Sequence, residues 1–375
     1  MRRELGVLAA TAALLVGLAV ATPVAAAGSS RVAGGTGLTP AGFSSPLLLL
    51  TGQFQYVSEV VDSTNHVHIA ATGRHGLWYI TDRGGSWSHT MILHDLTNKS
   101  YVEPSIALDT NDRVHISVAR NACDDCAPGS TTGIYYLTDK GRARGTFPST
   151  PTKIAPHASG EGTLKVANGH LFLSYVNPCC MPGPLPKVLL RTNASGSWTT
   201  TQVAPHGDDP SLRVGTDGKP RVTYSRSDGI HYGAASSPTG SFSVIHVPGT
   251  GINDSGARLA LDTNNRPHLA WYHDTVSTSD IEYGWRDLSG WSGPTFVLSN
   301  PNFGFMTFDL DSLGRPNVAL GDQTIRNELR SGGTWHETPV ASGVDVRYMA
   351  ERRAFNGHVA IAWADFSGGI WLSRN

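Results

Sequence analysis

Seven stretches of the chain alternate apolar and polar residues directly after a short run rich in Asp, Asn, Thr and Gly. They begin at Asp62, Asp109, Ala167, Gly215, Asp262, Asp311 and Phe355. Strict alternation after a tight turn predicts a half-buried β-strand. Self-similarity at a period of about 47 residues, built only from short strands and turns, predicts a β-propeller.

Each repeat carries signals for four strands. One strand precedes the polar turn, the alternating strand follows it, and a third begins with a Gly and aromatic residues, as at Gly76. The fourth starts with a small residue and an aromatic, as at Ser86 and Trp87. We expect these aromatic rings to pack between neighbouring blades, where a large ring buries most area. The pattern therefore predicts an all-β protein with seven four-stranded blades.

The last repeat is incomplete, because the chain ends at Asn375 just after the third strand signal. The segment from Gly42 to Gly52 has an aromatic residue followed by an apolar strand, as the fourth strand of the other repeats does. A strand shared between the two termini removes the open edges of a linear array. We therefore predict that an N-terminal strand completes the last blade.

The chain begins with Met1, Arg2 and Arg3, continues with an apolar stretch, and reaches three small residues at positions 25–27. This order is typical of a secretory signal peptide. We predict a signal peptide over residues 1–27, a flexible mature N-terminus over 28–41, and a propeller over 42–375 of a secreted protein. An uncleaved membrane anchor is the alternative. No later apolar run approaches the ~20 residues that span a bilayer, so no membrane span is expected after cleavage.

Charge is balanced, with 29 Lys and Arg against 30 Asp and Glu and a formal net charge of −1. Nucleic-acid partners favour basic patches, so none is expected. The 42 Gly and 22 Pro fit a turn-rich chain. We expect a monomer that needs no cofactor and has an extracellular glycan or protein as its partner.

Two sets of connections differ in character. The turns before the alternating strands are short and stereotyped, and Asp and Asn there are turn formers. Residues 109–112 lack the central Gly and distal Glu of a calcium loop. The other connections vary in length and chemistry, which is where function usually lies on a rigid scaffold.

Three acids, Glu103, Glu161 and Asp209, hold corresponding positions in successive repeats and should converge on one mouth of the central channel. We expect polar ligand-binding side chains opposite them, and aromatic residues exposed to the ligand. The candidates from the variable connections are Arg74, Arg226, Tyr272, His273, Asp274, Asp322 and Trp363. Each is otherwise an ordinary solvated loop residue.

Four cysteines lie in the matching loops of two successive repeats, namely Cys123, Cys126, Cys179 and Cys180. An exported protein is expected to oxidise paired cysteines. Four cysteines allow three pairings, so bonds between the loops, bonds within each loop, and a four-thiolate metal site stay open. We favour two disulfides between the loops, and the spacing assigns no metal site.

The repeats have the form Asp-x-x-x-Arg-Pro-His-φ-Ala-Trp, followed by a Gly-aromatic strand and a Gly-Ser-Trp turn. Over nearly the whole mature chain they resemble those of secreted bacterial sialidase-like propellers with BNR-type repeats. The segment from Thr81 to Trp87 keeps the Asp, Gly and Trp of that family's Asp-box but lacks its leading Ser. The Arg-Ile-Pro motif is absent, so the resemblance implies the fold and carries no catalytic set with it.

Three functions are compatible with these features. A recognition propeller would bind a glycan or protein through the variable loops, and this is the function we expect. A carbohydrate-active enzyme, either a glycoside hydrolase or a polysaccharide lyase, would use carboxylates among Glu103, Glu161 and Asp209, or Tyr272 with His273 as an acid–base pair. A purely structural role would need neither set. No Ser-His-Asp nucleophile motif, phosphate loop or HExxH motif is present in the sequence.

Overall fold

The computed structural model describes residues 42–94, 101–120, 132–158, 162–177, 186–299, 304–311, 313–353, 359–366 and 368–375. These residues contain β-strands and no helix, and the strands form seven four-stranded antiparallel sheets. Within the described part of the chain, no helical segment has the length and apolarity that crossing a membrane requires. The leader predicted over residues 1–27 and the segment 28–41 lie outside the described residues.

Six blades are each built from four consecutive strands. Blade 1 contains β2 (Phe54–Val61), β3 (Val67–Gly73), β4 (Gly76–Thr81) and β5 (Ser88–His94). Blade 2 contains β6 (Tyr101–Leu108), β7 (Val114–Arg120), β8 (Gly133–Thr138) and β9 (Thr152–Pro156). Blade 3 contains β10 (Thr163–Ala167), β11 (His170–Asn177), β12 (Lys187–Thr192) and β13 (Thr199–Ala204).

The next three blades follow the same order. Blade 4 contains β14 (Asp208–Val214), β15 (Pro220–Arg226), β16 (Gly229–Ala235) and β17 (Phe242–His246). Blade 5 contains β18 (Asp254–Leu261), β19 (Pro267–Asp274), β20 (Ser279–Arg286) and β21 (Trp291–Leu298). Blade 6 contains β22 (Phe305–Leu310), β23 (Pro316–Gly321), β24 (Thr324–Ser331) and β25 (Thr334–Ser342).

Blade 7 combines the two ends of the chain. It contains β26 (Val346–Arg353), β27 (Val359–Asp365) and β28 (Gly369–Arg374), with β1 (Leu47–Thr51) as the outermost strand. Pairing of β1 with β28 runs from Leu47↔Leu372 to Thr51↔Gly369. Contacts between the innermost strands link each blade to the next, and β26 contacts β2 to close the ring. The predicted seven-bladed propeller and its N-terminal strand closure are confirmed.

Aromatic rings join neighbouring blades, as the repeat pattern predicts. Phe147 of blade 2 packs edge-on against Tyr79 of blade 1, with ring centroids 5.1 Å apart. Trp335 of blade 6 does the same against Tyr283 of blade 5 at 5.5 Å. Phe43, just before β1, is buried in the cluster between blades 6 and 7. The N-terminal segment therefore seals that junction as the other aromatics seal theirs.

The repeated Asp of the stereotyped turns has a structural role. In Asp62, Asp109, Asp262 and Asp311, Oδ1 accepts hydrogen bonds from the backbone N–H groups two and four residues later. Burial raises the pKa of Asp62, but the hydrogen bonds from His66 and Thr64 outweigh it and lower the pKa to about 2. These carboxylates therefore form turns, as predicted.

The seven innermost strands line the central channel in matching register. Ser58, Ser105 and Ser211 lie directly opposite Ala70, Ser117 and Thr223 of the second strands. Each Ser Oγ accepts the N–H of a residue on the next blade, namely Ile106, Leu164 and Leu259, at 3.0–3.2 Å. In blade 5 the same register position, opposite Ala270, is occupied by Arg258. We call these equivalent positions the hydroxyl layer, and Arg258 places a positive charge in it.

Candidate active site at the channel mouth

A cavity of about 420 Å³ opens where the innermost strands begin, on the side of the variable loops. Its lining includes the residues that stand two positions before the layer of Ser58, Ser105, Ser211 and Arg258. These are Tyr56 of blade 1, Glu103 of blade 2, Asp209 of blade 4, Gly256 of blade 5, Phe305 of blade 6 and Tyr348 of blade 7. Below it, a second cavity of about 210 Å³ continues along the channel.

Backbone irregularities turn the acids into this cavity. The register shifts between Val102 and Ser105 and between Asp208 and Ser211, which is the behaviour of a β-bulge. Glu103 and Asp209 have φ angles of 48° and 51°, in the left-handed region that few non-glycine residues adopt. Bulges and such φ angles re-aim side chains, and they concentrate at functional sites. The backbone is therefore locally strained at Glu103 and Asp209, and this conformation places their carboxyl groups at the channel mouth.

Gly256 makes room for Tyr272. Gly256 has a φ of 62°, and a Cβ there would lie 2.7 Å from Cδ2 of the Tyr272 ring. The ring therefore passes directly over the Gly256 backbone. The N–H of Met306 on blade 6 donates a 2.6 Å hydrogen bond to the Tyr272 hydroxyl oxygen. Tyr272 is thus held between blades 5 and 6 with its phenol group in the cavity.

Glu103 is an acid whose pKa lies near neutrality. Burial raises its pKa to about 7, and the Asp209 charge adds to the rise while Arg258 opposes it. Oε2 of Glu103 is buried and has no hydrogen-bond partner among the described residues. A buried oxygen without a partner disfavours the carboxylate, so about half of the Glu103 side chains keep their proton at pH 7.

Asp209 shares this environment and titrates together with its neighbours. Burial raises its pKa, Arg258 lowers it and Asp208 raises it again. When two acids share one site, the first ionisation makes the second harder. Burial raises the pKa of both acids, and the charge on Asp209 raises that of Glu103 further, so we assign the negative charge of the pair to Asp209 and the proton to Glu103.

Arg258 supplies the positive charge of the site. It lines both cavities, and its Nη1 donates to the Gly256 carbonyl at 3.4 Å. Burial raises the pKa of Tyr348 to about 12 and also raises that of Tyr272, and in both cases Arg258 opposes the rise. One guanidinium therefore acts on two acids and two phenols around the mouth.

An aromatic wall completes the rim on the side of blades 1, 6 and 7. Tyr56 packs edge-on against Tyr348 with centroids 5.1 Å apart, and Phe305 lies 5.4 Å from Tyr348. Phe305 keeps 37% of its surface exposed. Exposed aromatic faces beside polar groups suit ligands that present both C–H surfaces and hydroxyl groups.

The structure brings together part of the predicted set. Glu103, Asp209, Tyr272 and Asp274 all line the mouth cavity. Arg74, Arg226 and Asp322 lie in or beside the connections between second and third strands, and none of them lines either cavity. Instead, Nε of Arg226 lies 3.5 Å from Oδ1 of Asp228. Oδ1 of Asp322 accepts a hydrogen bond from the N–H of Thr324.

The predicted pairing of Tyr272 with His273 is wrong. Adjacent residues of a strand point to opposite faces of the sheet. Tyr272 enters the cavity, whereas Nδ1 of His273 lies 2.9 Å from Oδ1 of Asp254 on the other face. The two side chains therefore do not form one acid–base pair.

The predicted exposure of Trp363 is also wrong. Trp363 is 0% exposed and belongs to the core cluster that contains Met349 and Ile361. It lies within β27, not in the loop that follows, and strand alternation directs its ring between blades. Its ring stacks with that of Trp371, with centroids 6.5 Å apart.

Several predicted residues lie outside the described part of the chain. They are Glu161 and the four cysteines Cys123, Cys126, Cys179 and Cys180. The disulfide pairing and the third acid of the rim therefore stay predictions.

Sequence reasoning missed Arg258, Tyr56, Phe305 and Tyr348. Their signal is the distance to the turn. In the first six repeats the hydroxyl-layer residue stands four positions before the anchor and the rim residue six, and in the last repeat they stand five and seven positions before Phe355. Counting back from Asp262 gives Arg258, where counting back from Asp62 and Asp109 gives serines. A charged residue in an otherwise small and hydroxylated layer marks the site.

No protein-family model matches the sequence, and no curated protein matches it either. Solved structures do resemble the fold. Polysaccharide lyase Uly1 is 10% identical, with 86% of this chain and 89% of that chain covered and a TM-score of 0.51. The Hadza microbial sialidase Hz136 is 12% identical, with 86% and 65% covered and a TM-score of 0.50. The Penicillium chrysogenum alpha-L-arabinanase, complexed with arabinobiose, is 11% identical, with 89% and 98% covered and a TM-score of 0.50.

These neighbours support the predicted sialidase-like propeller as a fold. At such low identity the likeness extends to the architecture alone, because one fold hosts many activities.

Proposed function

We propose that the channel mouth binds a carbohydrate and cleaves a glycosidic bond, with Glu103 as the proton donor. The observation that carries this proposal is the buried Oε2 of Glu103, which has no partner among the described residues, on an acid whose burial raises its pKa to about 7. A carboxylic acid that keeps its proton at neutral pH can protonate a leaving-group oxygen. Perturbed acids in a cleft are typical of catalytic sites.

Asp209 is the second carboxyl group of the proposed mechanism. With the proton on Glu103, Asp209 carries the negative charge and stabilises the positive charge that develops at the sugar ring, or activates a water molecule. Arg258 lowers the pKa of Asp209 against the effect of burial and offers a donor fork to substrate oxygens. Tyr272, fixed by the Met306 N–H, adds a hydroxyl group at the cavity wall.

Carbohydrate is the ligand class that the rest of the mouth supports. The wall of Tyr56, Phe305 and Tyr348 offers apolar faces for sugar rings next to polar groups. The structures that share the fold include a sialidase, a polysaccharide lyase and an arabinanase. The predicted signal peptide is consistent with a glycan met outside the cell.

Turnover of a polysaccharide and oligosaccharide panel tests the proposal. We expect wild type to release reducing ends from at least one substrate, and Glu103→Gln to lower kcat/KM by about 100-fold or more, the range for loss of general acid catalysis. Asp209→Asn should be similarly impaired.

Glu328→Gln is the matched control. Burial, together with Glu337, also raises the pKa of Glu328 to about 7, but Glu328 lies on β24 and lines neither cavity. Its replacement should leave turnover unchanged. Equal activity in wild type and Glu103→Gln would contradict the role of Glu103.

Recognition without turnover is the second candidate, and the aromatic wall is the observation that favours it. Such a wall binds sugar rings without any proton transfer. If wild type binds a glycan array but releases no product from that glycan, recognition is the function. Phe305→Ala would then weaken binding while Glu103→Gln leaves it nearly unchanged.

A further inference from the structure

Three metal-ligating side chains meet on blade 5, on the face of the sheet opposite Tyr272. They are Asp254 of β18, His273 of β19 and Glu282 of β20, and one ligand atom from each lies within 4.8 Å of the other two. One nitrogen and two carboxylate oxygens from three adjacent strands are a donor set that transition metals accept. The proposed glycoside chemistry uses none of the three.

Strand register explains why they share a face. Asp254 lies directly opposite His273, and Glu282 lies directly opposite Trp271, two residues before His273 on the same strand. Residues two apart on a strand, and their direct cross-strand partners, point to the same side of a sheet. The cluster therefore rests on three hydrogen-bonded strands, which hold a site more accurately than a loop does.

Asp254 is held in place before any ion arrives. It is 4% exposed, its Oδ2 accepts the N–H of Gly251 at 2.6 Å, and its Oδ1 accepts the indole N–H of Trp271 at 3.0 Å. Partners of this kind orient a metal ligand and fix its geometry. The imidazole of His273 meets the same Oδ1 at 2.9 Å.

The carboxyl groups in and beside the cluster outnumber its single imidazole. Asp254 and Glu282 of the cluster and the neighbouring Asp280 place three carboxyl groups around His273. Asp280 lies directly opposite His273 and accepts a hydrogen bond from Ser299. Three carboxyl groups against one imidazole leave negative charge that a divalent cation would neutralise.

We propose that Asp254, His273 and Glu282 bind a divalent transition-metal ion, with zinc the best match to one nitrogen and two oxygen donors. Zinc bonds to these atoms are about 2.0–2.2 Å long, so ligand atoms that lie within 4.8 Å of one another can surround one ion after small side-chain adjustments. Three protein ligands leave a coordination position for water or a ligand group. The ion would also join the three strands of blade 5 that lie behind Gly256 and Tyr272.

Calorimetric titration of the chelator-treated full protein with ZnCl₂ tests the site. We expect one bound ion per chain, and at least tenfold weaker binding in both His273→Ala and Glu282→Gln. Asp254 is left intact because it also holds Gly251 and Trp271. His336→Ala, which removes an exposed histidine of β25, and Glu103→Gln should bind as wild type does. Circular dichroism verifies that each variant is folded.

Cobalt(II) absorption separates this site from the cysteine loops. Cobalt at Asp254, His273 and Glu282 gives weak visible bands without thiolate charge transfer, and His273→Ala removes them. Absence of zinc binding by wild type overturns the proposal. So does zinc binding that persists undiminished in both variants, or a cobalt spectrum that His273→Ala leaves entirely unchanged. Because the readout is metal binding, these outcomes are independent of any glycan turnover.

Discussion

Asp62 is a buried acid and Glu103 a partly buried one, both near the ends of strands, and their surroundings shift their pKa values in opposite directions. At the stereotyped turn, Asp62 accepts hydrogen bonds from two backbone N–H groups and the Thr64 hydroxyl, and its pKa, which burial alone would raise, falls to about 2. At the channel mouth, Glu103 has a buried oxygen without a partner among the described residues, and burial raises its pKa to about 7.

The difference follows from repetition. The turn aspartate recurs in four blades with the same hydrogen bonds, because each blade needs the same chain reversal. The rim position differs around the ring, with Tyr, Glu, Asp, Gly and Phe among its occupants. A position that repeats serves the fold, whereas a position that varies on the same scaffold is available for chemistry.

The largest expected effect is on stability at the turn. Asp62→Ala leaves the buried turn without its acceptor, so we expect the free energy of unfolding to fall by about 3 kcal/mol, as for other losses of a buried hydrogen-bond network. Turnover measured well below the unfolding temperature should not change. Asp287→Ala, in the exposed β20–β21 turn, is the control and should change stability little. An Asp62→Ala variant with the same free energy of unfolding as wild type would contradict the structural role of the turn aspartate.

At the channel mouth, removing the acid should raise the free energy of unfolding at alkaline pH instead of lowering it. The native pKa of Glu103 lies above its ordinary value of 4.5, so the native state holds the proton between pH 4.5 and 7 and loses stability as pH rises through that window. Glu103→Gln carries no charge and escapes this loss. We expect the free energy of unfolding of this variant to exceed that of wild type by about 3 kcal/mol at pH 8 and to match it near pH 4. Chemical unfolding at both pH values measures this, and a less stable variant at pH 8 would refute it.

The smallest effect concerns the aromatic wall. Phe305→Ala removes one exposed ring without touching Glu103 or Asp209, so KM for a carbohydrate substrate should rise by about fivefold, the equivalent of ~1 kcal/mol, with kcat nearly constant. Phe296→Ala, an exposed ring of β21 that lines neither cavity, is the control. A large fall in kcat for Phe305→Ala would place the wall in the chemistry.

Local patterns predict the propeller well because each blade repeats one strand–turn–strand signal. The anchor turns, the small-aromatic pairs and the truncated last repeat together predict seven blades and the terminal strand closure. These signals depend on residues close in sequence, such as the Asp62 turn and the strand that follows it. Such short-range requirements can be predicted from the sequence alone.

The site was only partly predictable for a related reason. Glu103 and Asp209 stand at equivalent repeat positions, so their convergence follows from the alignment. Their raised pKa values do not follow from it, because these depend on burial and on Arg258, which belongs to another blade. The predicted exposure of Trp363 and the predicted pairing of His273 with Tyr272 are wrong because strand alternation continues up to the loop and sets the face on which each side chain lies. One residue of register decides between cavity and core.

The protonation state of Glu103 is the claim on which the proposed chemistry depends, and it can be titrated directly. Carbon-13 NMR of the glutamate side-chain carboxyl carbons, assigned by comparison with Glu103→Gln, follows that carboxyl group from pH 4 to 9. We predict a midpoint near 7 for Glu103. A midpoint near the ordinary value of 4.5 would show an ionised carboxylate at neutral pH and would contradict the account.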